Sequence, residues 1–256
     1  MGSLEGKIGL VSGVANCHSI AWAVAQAWHD EGATLVFTYH NERHYRNVQA
    51  LVDSLSSDSM LLHCDLAKDE DVDIVRRAIA DKHNRLDLLL HSVAYAPPEA
   101  LKESFIQTGK EGFLKTLEMS VYSMLALTRH ATPLMSQGGS VLAISYYGAK
   151  KVIPNYNIMG VAKAALESTV RYLAYDLGSQ NIRVNGISPG PVDTLAARGV
   201  RGFKSIQEKY EKIAPLRRNV VANEIGKTAV FLASDAASAI TGQIIYTDCG
   251  YSVMGL

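Results

Sequence analysis

The sequence predicts a doubly wound α/β fold, one parallel sheet of seven strands with helices on both faces, and two observations carry that expectation. Seven short apolar runs recur along the 256 residues, at 7–12, 34–39, 59–64, 86–92, 140–145, 181–187 and 242–247. Segments with helical spacing separate them, at 19–31, 42–55, 68–83, 111–135, 156–178 and 222–234. The runs are also apolar nearly throughout, as in Leu86-Asp87-Leu88-Leu89-Leu90 and Ser140-Val141-Leu142-Ala143-Ile144. Strands covered by helices on both faces read this way, whereas half-exposed strands alternate. Such β-α alternation is the Rossmann-type pattern, whose ligands bind at the carboxyl ends of the strands.

One domain over residues 1–256 is expected, because no Pro/Ser-rich linker, internal repeat or low-complexity tract divides the chain. An apolar fraction of 48% and a charged fraction of 20% belong to a folded, soluble protein with a sizeable core. Lys plus Arg equals Asp plus Glu at 25 each, which argues against nucleic acid as the main partner. Cys17, Cys64 and Cys249 form no C-x-x-C pair, so neither a disulfide framework nor a metal site is expected. Met1-Gly2-Ser3-Leu4-Glu5-Gly6 lacks the flank and apolar run of a signal peptide, and no apolar stretch reaches membrane-spanning length. A cytoplasmic protein with no membrane partner is the expectation.

The first strand ends in Leu10-Val11-Ser12-Gly13, and Ser19-Ile20-Ala21 opens the next helix. A phosphate could sit on that helix's free N–H groups, with Gly13 allowing the tight turn, although the full G-x-G-x-x-G pattern is absent. After the second strand, Tyr39-His40-Asn41-Glu42-Arg43 leaves the cofactor open: Glu42 would favour NADH, whereas Arg43 with His40 could face the extra phosphate of NADPH. Asp65 after the third strand and Ser92-Val93-Ala94 after the fourth also lie where cofactor contacts accumulate, with helix capping as the alternative role. The helix at 156–178 is apolar on most of its circumference, including Val161 and Tyr175, and is expected to be buried, in part against another subunit. Residues 188–203, broken by Pro189, Gly190, Pro191, Gly199 and Gly202, are an irregular stretch of the kind that forms lids, and the expected lid extends over about 188–213.

Ser145-Tyr146-Tyr147-Gly148 follows the fifth strand, and Asn155-Tyr156 leads to Lys163 seven residues further on. Nearly two helical turns would place Tyr156 and Lys163 on one face, so that a phenol and an ammonium share a site. The ammonium should lower the phenol's pKa and make it a better donor to an oxygen that gains charge during hydride transfer.

From Leu4-Glu5-Gly6-Lys7 onward the chain resembles bacterial enoyl-acyl carrier protein reductases of the divergent short-chain dehydrogenase type. The most specific piece is Pro154-Asn155-Tyr156-Asn157 through Met159-Gly160 to Ala162-Lys163, because common short-chain dehydrogenases put Tyr four residues before Lys, where this chain has Met159. Gly13-Val14-Ala15, Phe37-Thr38-Tyr39, Cys64-Asp65, His91-Ser92 and Ala214-Pro215-Leu216-Arg217-Arg218 support it. The resemblance implies Tyr156 as proton or hydrogen-bond donor, Lys163 as its cofactor-holding partner and Tyr146 as a second active-site phenol. It implies nucleotide contacts from Gly13, Ser19, Ile20, His40, Asp65, Leu66, Ser92 and Val93, and contacts near nicotinamide and pyrophosphate from Val192, Thr194, Leu195 and Ala196. An acyl pocket would be lined by Ala96, Met159, Val200 and Phe203, beside Tyr146 and Tyr156. The chain departs from the family at Pro189 and Asp193, which read like common dehydrogenases, and at Ala94 and Tyr95, which replace Gly and Phe.

The implied activity is NADH-dependent reduction of the trans-2 double bond of acyl carrier protein-bound enoyl substrates in fatty acid biosynthesis, with NADPH as the other reductant, in a homotetramer. Arg198, Arg201 and Lys204, with no acid among them, would receive the acidic carrier. The alternatives are a short-chain dehydrogenase acting on a carbonyl or secondary alcohol, and a non-catalytic nucleotide-binding protein.

Overall fold

The computed structural model describes residues 2–55 and 58–255 and contains the expected sheet. Met1 and Leu256, the ends of the expected domain and of its carboxyl tail, lie outside the described residues. The strands are β1 (Ile8–Ser12), β2 (Thr34–Tyr39), β3 (Met60–His63), β4 (Leu88–His91), β5 (Gly139–Ile144), β6 (Ile182–Pro189) and β7 (Ile244–Thr247). All neighbours are parallel, in the order β3-β2-β1-β4-β5-β6-β7. Strand order reverses between β1 and β4, whose last residues Ser12 and His91 are in register, so the chains leaving these strands part and open a crevice there.

Alternate residues of one strand enter different cores, which is why the runs read as continuously apolar. Leu88 and Leu90 of β4, with Leu142 and Ile144 of β5, pack against α1 (Ile20–Asp30) and α9 (Ala222–Ala233). Leu89, Val141 and Ala143 face the opposite core, with α3 (Asp69–His83), α6 (Ser123–Ala131) and α7 (Ile158–Leu177). Helix α1 approaches α9 closely enough that a Cβ at Gly226 would lie 2.7 Å from the Ala23 carbonyl oxygen. The remaining helices are α2 (Glu42–Leu55), α4 (Pro98–Lys102), α5 (Lys110–Leu117) and α8 (Phe203–Ile213).

The expected helix over 111–135 is divided into α5, a π-helical turn at Glu118–Tyr122, α6 and a 3₁₀ turn at Thr132–Leu134. Thr116 and Ser123 hydroxyls donate to the carbonyls four residues back, a bond that loosens the helical ladder, and Pro133 ends it. Helix α8 occupies eleven of the 26 residues (188–213) expected as a lid; Phe203, Ile206, Tyr210 and Ile213 recur at helical spacing along it, although Tyr210 is its one buried residue. Helix α7 is not covered all round. Val161, Tyr172 and Tyr175 are exposed in the single chain, Tyr175 by 86%. Among the described residues, no helix is long and apolar enough to cross a membrane.

Candidate active site

The crevice at the carboxyl edge begins with Gly13, whose φ of 106° and position 2.2 Å (for a built Cβ) from the Ser92 carbonyl oxygen admit only glycine. Behind it the buried Thr38 hydroxyl donates to Ser12 Oγ at 2.9 Å, and Ser92 N–H donates to the Ser12 carbonyl at 3.1 Å, tying the ends of β2, β1 and β4 together. Ser19 stands at the N-cap of α1 but does not cap it. Its Oγ accepts the N–H groups of Ala15 and Asn16, at 3.0 and 3.1 Å. The first-turn N–H groups of Ile20 and Ala21 therefore find no acceptor among the described residues, and the turn contains no carboxylate. An uncapped helix start with no acid in its first turn fits a phosphate or pyrophosphate group.

After β2 and β3 the structure brings His40 and Asp65 together, His40 Nδ1 lying 3.7 Å from Asp65 Oδ1. Asp65 also accepts the Ala67 N–H at 3.1 Å, and Lys68 Nζ is 3.7 Å from its other oxygen. Tyr39 donates to Glu42 at 3.5 Å, so acids cluster at this end of the crevice. Leu66 is buried in the second core, and Val93 packs on it. Val192 packs against the first core, whereas Leu195 is exposed. Thr194 Oγ1 accepts the Ala197 N–H at 3.1 Å and so starts the 3₁₀ turn Ala197–Gly199.

The catalytic end differs from the expectation in two respects. Tyr156 is not on the helix with Lys163. It lies in the turn before α7, where its N–H donates to Ile153 and its carbonyl receives Met159 N–H. Lys163, 5% exposed, donates from Nζ to the Ile144 carbonyl at 2.7 Å, at the end of β5. Burial pulls its pKa down to about 8, against the opposing pull of Glu167. The expected lowering of the phenol is also reversed: burial pushes the Tyr156 pKa up, with Tyr146 adding to the rise. A phenol enclosed by apolar and aromatic groups cannot easily bear charge, and Lys163 is turned toward a carbonyl. The Tyr146 and Tyr156 rings meet edge to face, centroids 4.9 Å apart. Gly148 provides the shelf for Tyr156, since a Cβ there would lie 2.5 Å from the ring.

Of the expected acyl-pocket residues, Val200 and Phe203 are joined by the Phe203 N–H to the Val200 carbonyl at 3.2 Å. Met159 is buried in the first turn of α7. Ala96 stands on the segment after β4, anchored beside it by Tyr95 N–H to Ser120 Oγ at 3.0 Å. Arg198 is not an acid-free cation as expected: it makes a two-point pair with Asp193, at 2.9 and 3.1 Å.

Sequence reading passed over Glu167, which is 2% exposed, accepts the Ser145 hydroxyl at 2.8 Å and lies 3.6 Å from Lys150 Nζ. Its position four residues after Lys163, hence on the same helix face, was the available signal. Tyr210, brought in by α8 and stacked on Tyr251 at 3.5 Å, was also passed over; its place in the apolar spacing of Phe203, Ile206 and Ile213 was the available signal. His91, fully buried with Nε2 2.8 Å from Ser123 Oγ, is drawn down to about 3 by burial and by Lys163, so it stays neutral.

Residues 13–252 match the family model described as enoyl-(acyl carrier protein) reductase. The enoyl-(acyl-carrier-protein) reductase (NADH) of Aquifex aeolicus is 46% identical, the alignment covering 100% of this chain and 95% of that protein. A Bacillus cereus enoyl-acyl carrier protein reductase, solved with NADP+ and indole naphthyridinone, superposes with a TM-score of 0.98 at 45% identity over 100% of both chains. An Anaplasma phagocytophilum reductase in complex with NAD gives 0.95 at 42% identity, over 100% of this chain and 97% of that one.

Proposed function

Since the chain belongs to the enoyl-(acyl carrier protein) reductase family, we propose that it reduces the trans-2 double bond of enoyl thioesters held on acyl carrier protein, in fatty acid biosynthesis, with NADH as reductant. The observation that carries this reading is the Tyr146–Tyr156 pair just beyond the carboxyl end of β5, with Lys163 buried against that same strand end. Bound NADH supplies a hydride to the β carbon of the thioester. The negative charge that develops on the thioester oxygen is met by the Tyr156 hydroxyl, with Tyr146 beside it, and a proton added at the α carbon completes the reduction.

Lys163 would leave the Ile144 carbonyl in part to hold the ribose hydroxyls, and the N–H groups after Ser19 would take the pyrophosphate. Gly13, Ile20, Asp65, Leu66, Ser92 and Val93 would line the nucleotide. Val192, Thr194, Leu195 and Ala196 would close over it as part of a lid spanning 188–213. Ala96, Met159, Val200 and Phe203 would contact the acyl chain. The Asp65 carboxylate beside His40, with Glu42 held by Tyr39 at the end of β2, disfavours the added phosphate of NADPH, which supports NADH. The assembly proposed is a homotetramer in which the exposed Val161, Tyr172 and Tyr175 strip of α7 is covered.

Carbonyl reduction is the rival reading, motivated by Pro189 and Asp193. Asp193 has a local task, its pair with Arg198, which accounts for the residue without a different reaction. Enzyme with NADH should consume the cofactor with a crotonyl thioester and not with simple ketones, followed at the nicotinamide absorbance. Oxidation by ketones alone would reject the enoyl assignment.

Arg201 and Lys204 at the start of α8 are exposed and have no ion-pair partner among the described residues, which makes them the remaining candidates for receiving an acidic carrier. Reversing both charges should raise KM several-fold for carrier-bound substrate and leave KM for a coenzyme A thioester unchanged. Equal changes with both substrates would reject the patch.

A further inference from the structure

The residues on either side of Tyr156 are held in a way that neither a helix start nor packing requires. Asn155 and Asn157 both take positive φ, 66° and 44°, the latter with ψ of −124°, backbone that favours glycine and that asparagine enters more readily than most other residues. An asparagine at the N-cap ordinarily accepts a first-turn N–H, yet Asn157 makes no such bond. Both amides reach out of the turn as donors instead. Asn155 Nδ2 donates to the Arg201 carbonyl at 2.9 Å, and Asn157 Nδ2 donates to the Glu103 carbonyl at 2.7 Å, with the Leu101 carbonyl at 3.5 Å. Because each acceptor is a backbone carbonyl, only the NH₂ end of the amide can serve. Glu103 closes α4, on the segment after β4, and Arg201 precedes α8, on the segment after β6. Three consecutive residues thus connect both segments through the one residue between the tethers.

We propose that Asn155 and Asn157 are positioning residues, two amide tethers that hold the Tyr156 phenol in register with the α4 and α8 segments, so that the placement of α8 governs whether the phenol is in place. The inference rests on Tyr156 being the donor to the developing oxyanion. It assigns Asn155 the link to the α8 segment and Asn157 the link to the α4 segment. Gly148 and Tyr146 fix the ring from the side, and the Tyr156 backbone is bonded only within its own turn, to Ile153 and Met159, so the two amides are what tie that turn to the α4 and α8 segments.

Glycine at either position keeps the positive-φ backbone and deletes only the tether, which separates the two roles. Asn155→Gly and Asn157→Gly should each lower kcat with crotonyl-coenzyme A about tenfold, a loss matching one misplaced donor bond, and leave the NADH Kd unchanged. Asn155→Asp, which accepts the same backbone but sets a carboxylate against a carbonyl, should fall as far as the glycine variant. In a Tyr156→Phe background the same glycine substitutions should change kcat less than about twofold, because the group they position is gone. Wild-type kcat in Asn155→Gly and Asn157→Gly, or equal losses with and without the Tyr156 hydroxyl, would overturn the tether. A Tyr156→Phe enzyme with wild-type turnover would instead remove the donor assignment itself, so the two failures are told apart. Should Asn157→Gly not fold, Asn155→Gly in the two backgrounds decides alone.

Discussion

Tyr156→Phe is expected to lose two to three decades of kcat with an enoyl thioester while its Kd for NADH stays within about twofold of wild type. Removing one well-placed donor to an oxyanion costs about 3 kcal/mol of transition-state stabilisation. The remaining ring still packs on Tyr146 and on the Gly148 shelf, so the fold around it is unchanged. Cofactor affinity is spared because Lys163 and the start of α1 are assigned to the dinucleotide. The pH dependence follows from the direction of the phenol's shift. Burial raises its pKa, so Tyr156 stays protonated through the whole working range and remains a donor. Wild-type kcat should accordingly show no alkaline limb from phenol ionisation. Stopped-flow single turnovers of the pre-formed NADH complex isolate this step, and a Tyr156→Phe rate equal to wild type would remove Tyr156 from the chemistry.

What could be read in the sequence and what could not divide along a physical line. The strands were legible because burial on both faces imposes uninterrupted apolar runs, and all seven are present. Gly13 and the start of α1 were legible because a tight turn into an uncapped helix needs particular residues in fixed order. The division of 111–135 was hidden, since side-chain bonds to i−4 carbonyls at Thr116 and Ser123 leave the apolar period intact. Helix α8 was legible in the spacing of Phe203, Ile206, Tyr210 and Ile213, but the Pro and Gly residues of 189–202 masked where the irregular stretch ends. The seven-residue spacing of Tyr156 and Lys163 identified the pair but not its geometry: spacing is converted into position by assuming a continuous helix, and Asn157, at φ 44° and ψ −124°, interrupts it. Long-range bonds such as Asn155 to Arg201 and Ser145 to Glu167 leave no mark on local pattern at all.

Lys163→Met is expected to weaken NADH binding tenfold to a hundredfold and, more tellingly, to abolish two opposite pH dependences at once. A charged donor to ribose hydroxyls is worth about 1.5 to 3 kcal/mol, which sets the affinity loss. In the free enzyme burial lowers the lysine to about 8, from an ordinary value of 10.5. Between these values the unfolded chain holds a proton that the folded chain has released, so folding stability contributed by this group rises with pH across the window and is flat below it. Affinity moves the other way. The cofactor is assigned to the ammonium form, so above about pH 8 binding must first recharge the lysine, and Kd should climb by up to about tenfold per pH unit. The buried neighbours His91 and Tyr156 do not supply these signs, since His91 stays neutral and Tyr156 stays protonated across the range. Fluorescence titration of NADH and chemical denaturation between pH 6.5 and 10, in wild type and Lys163→Met, measure both slopes. A wild-type Kd that is level across pH 8, or a methionine variant that keeps the same slope, would take the cofactor away from Lys163 and leave it as a buried prop for the Ile144 carbonyl.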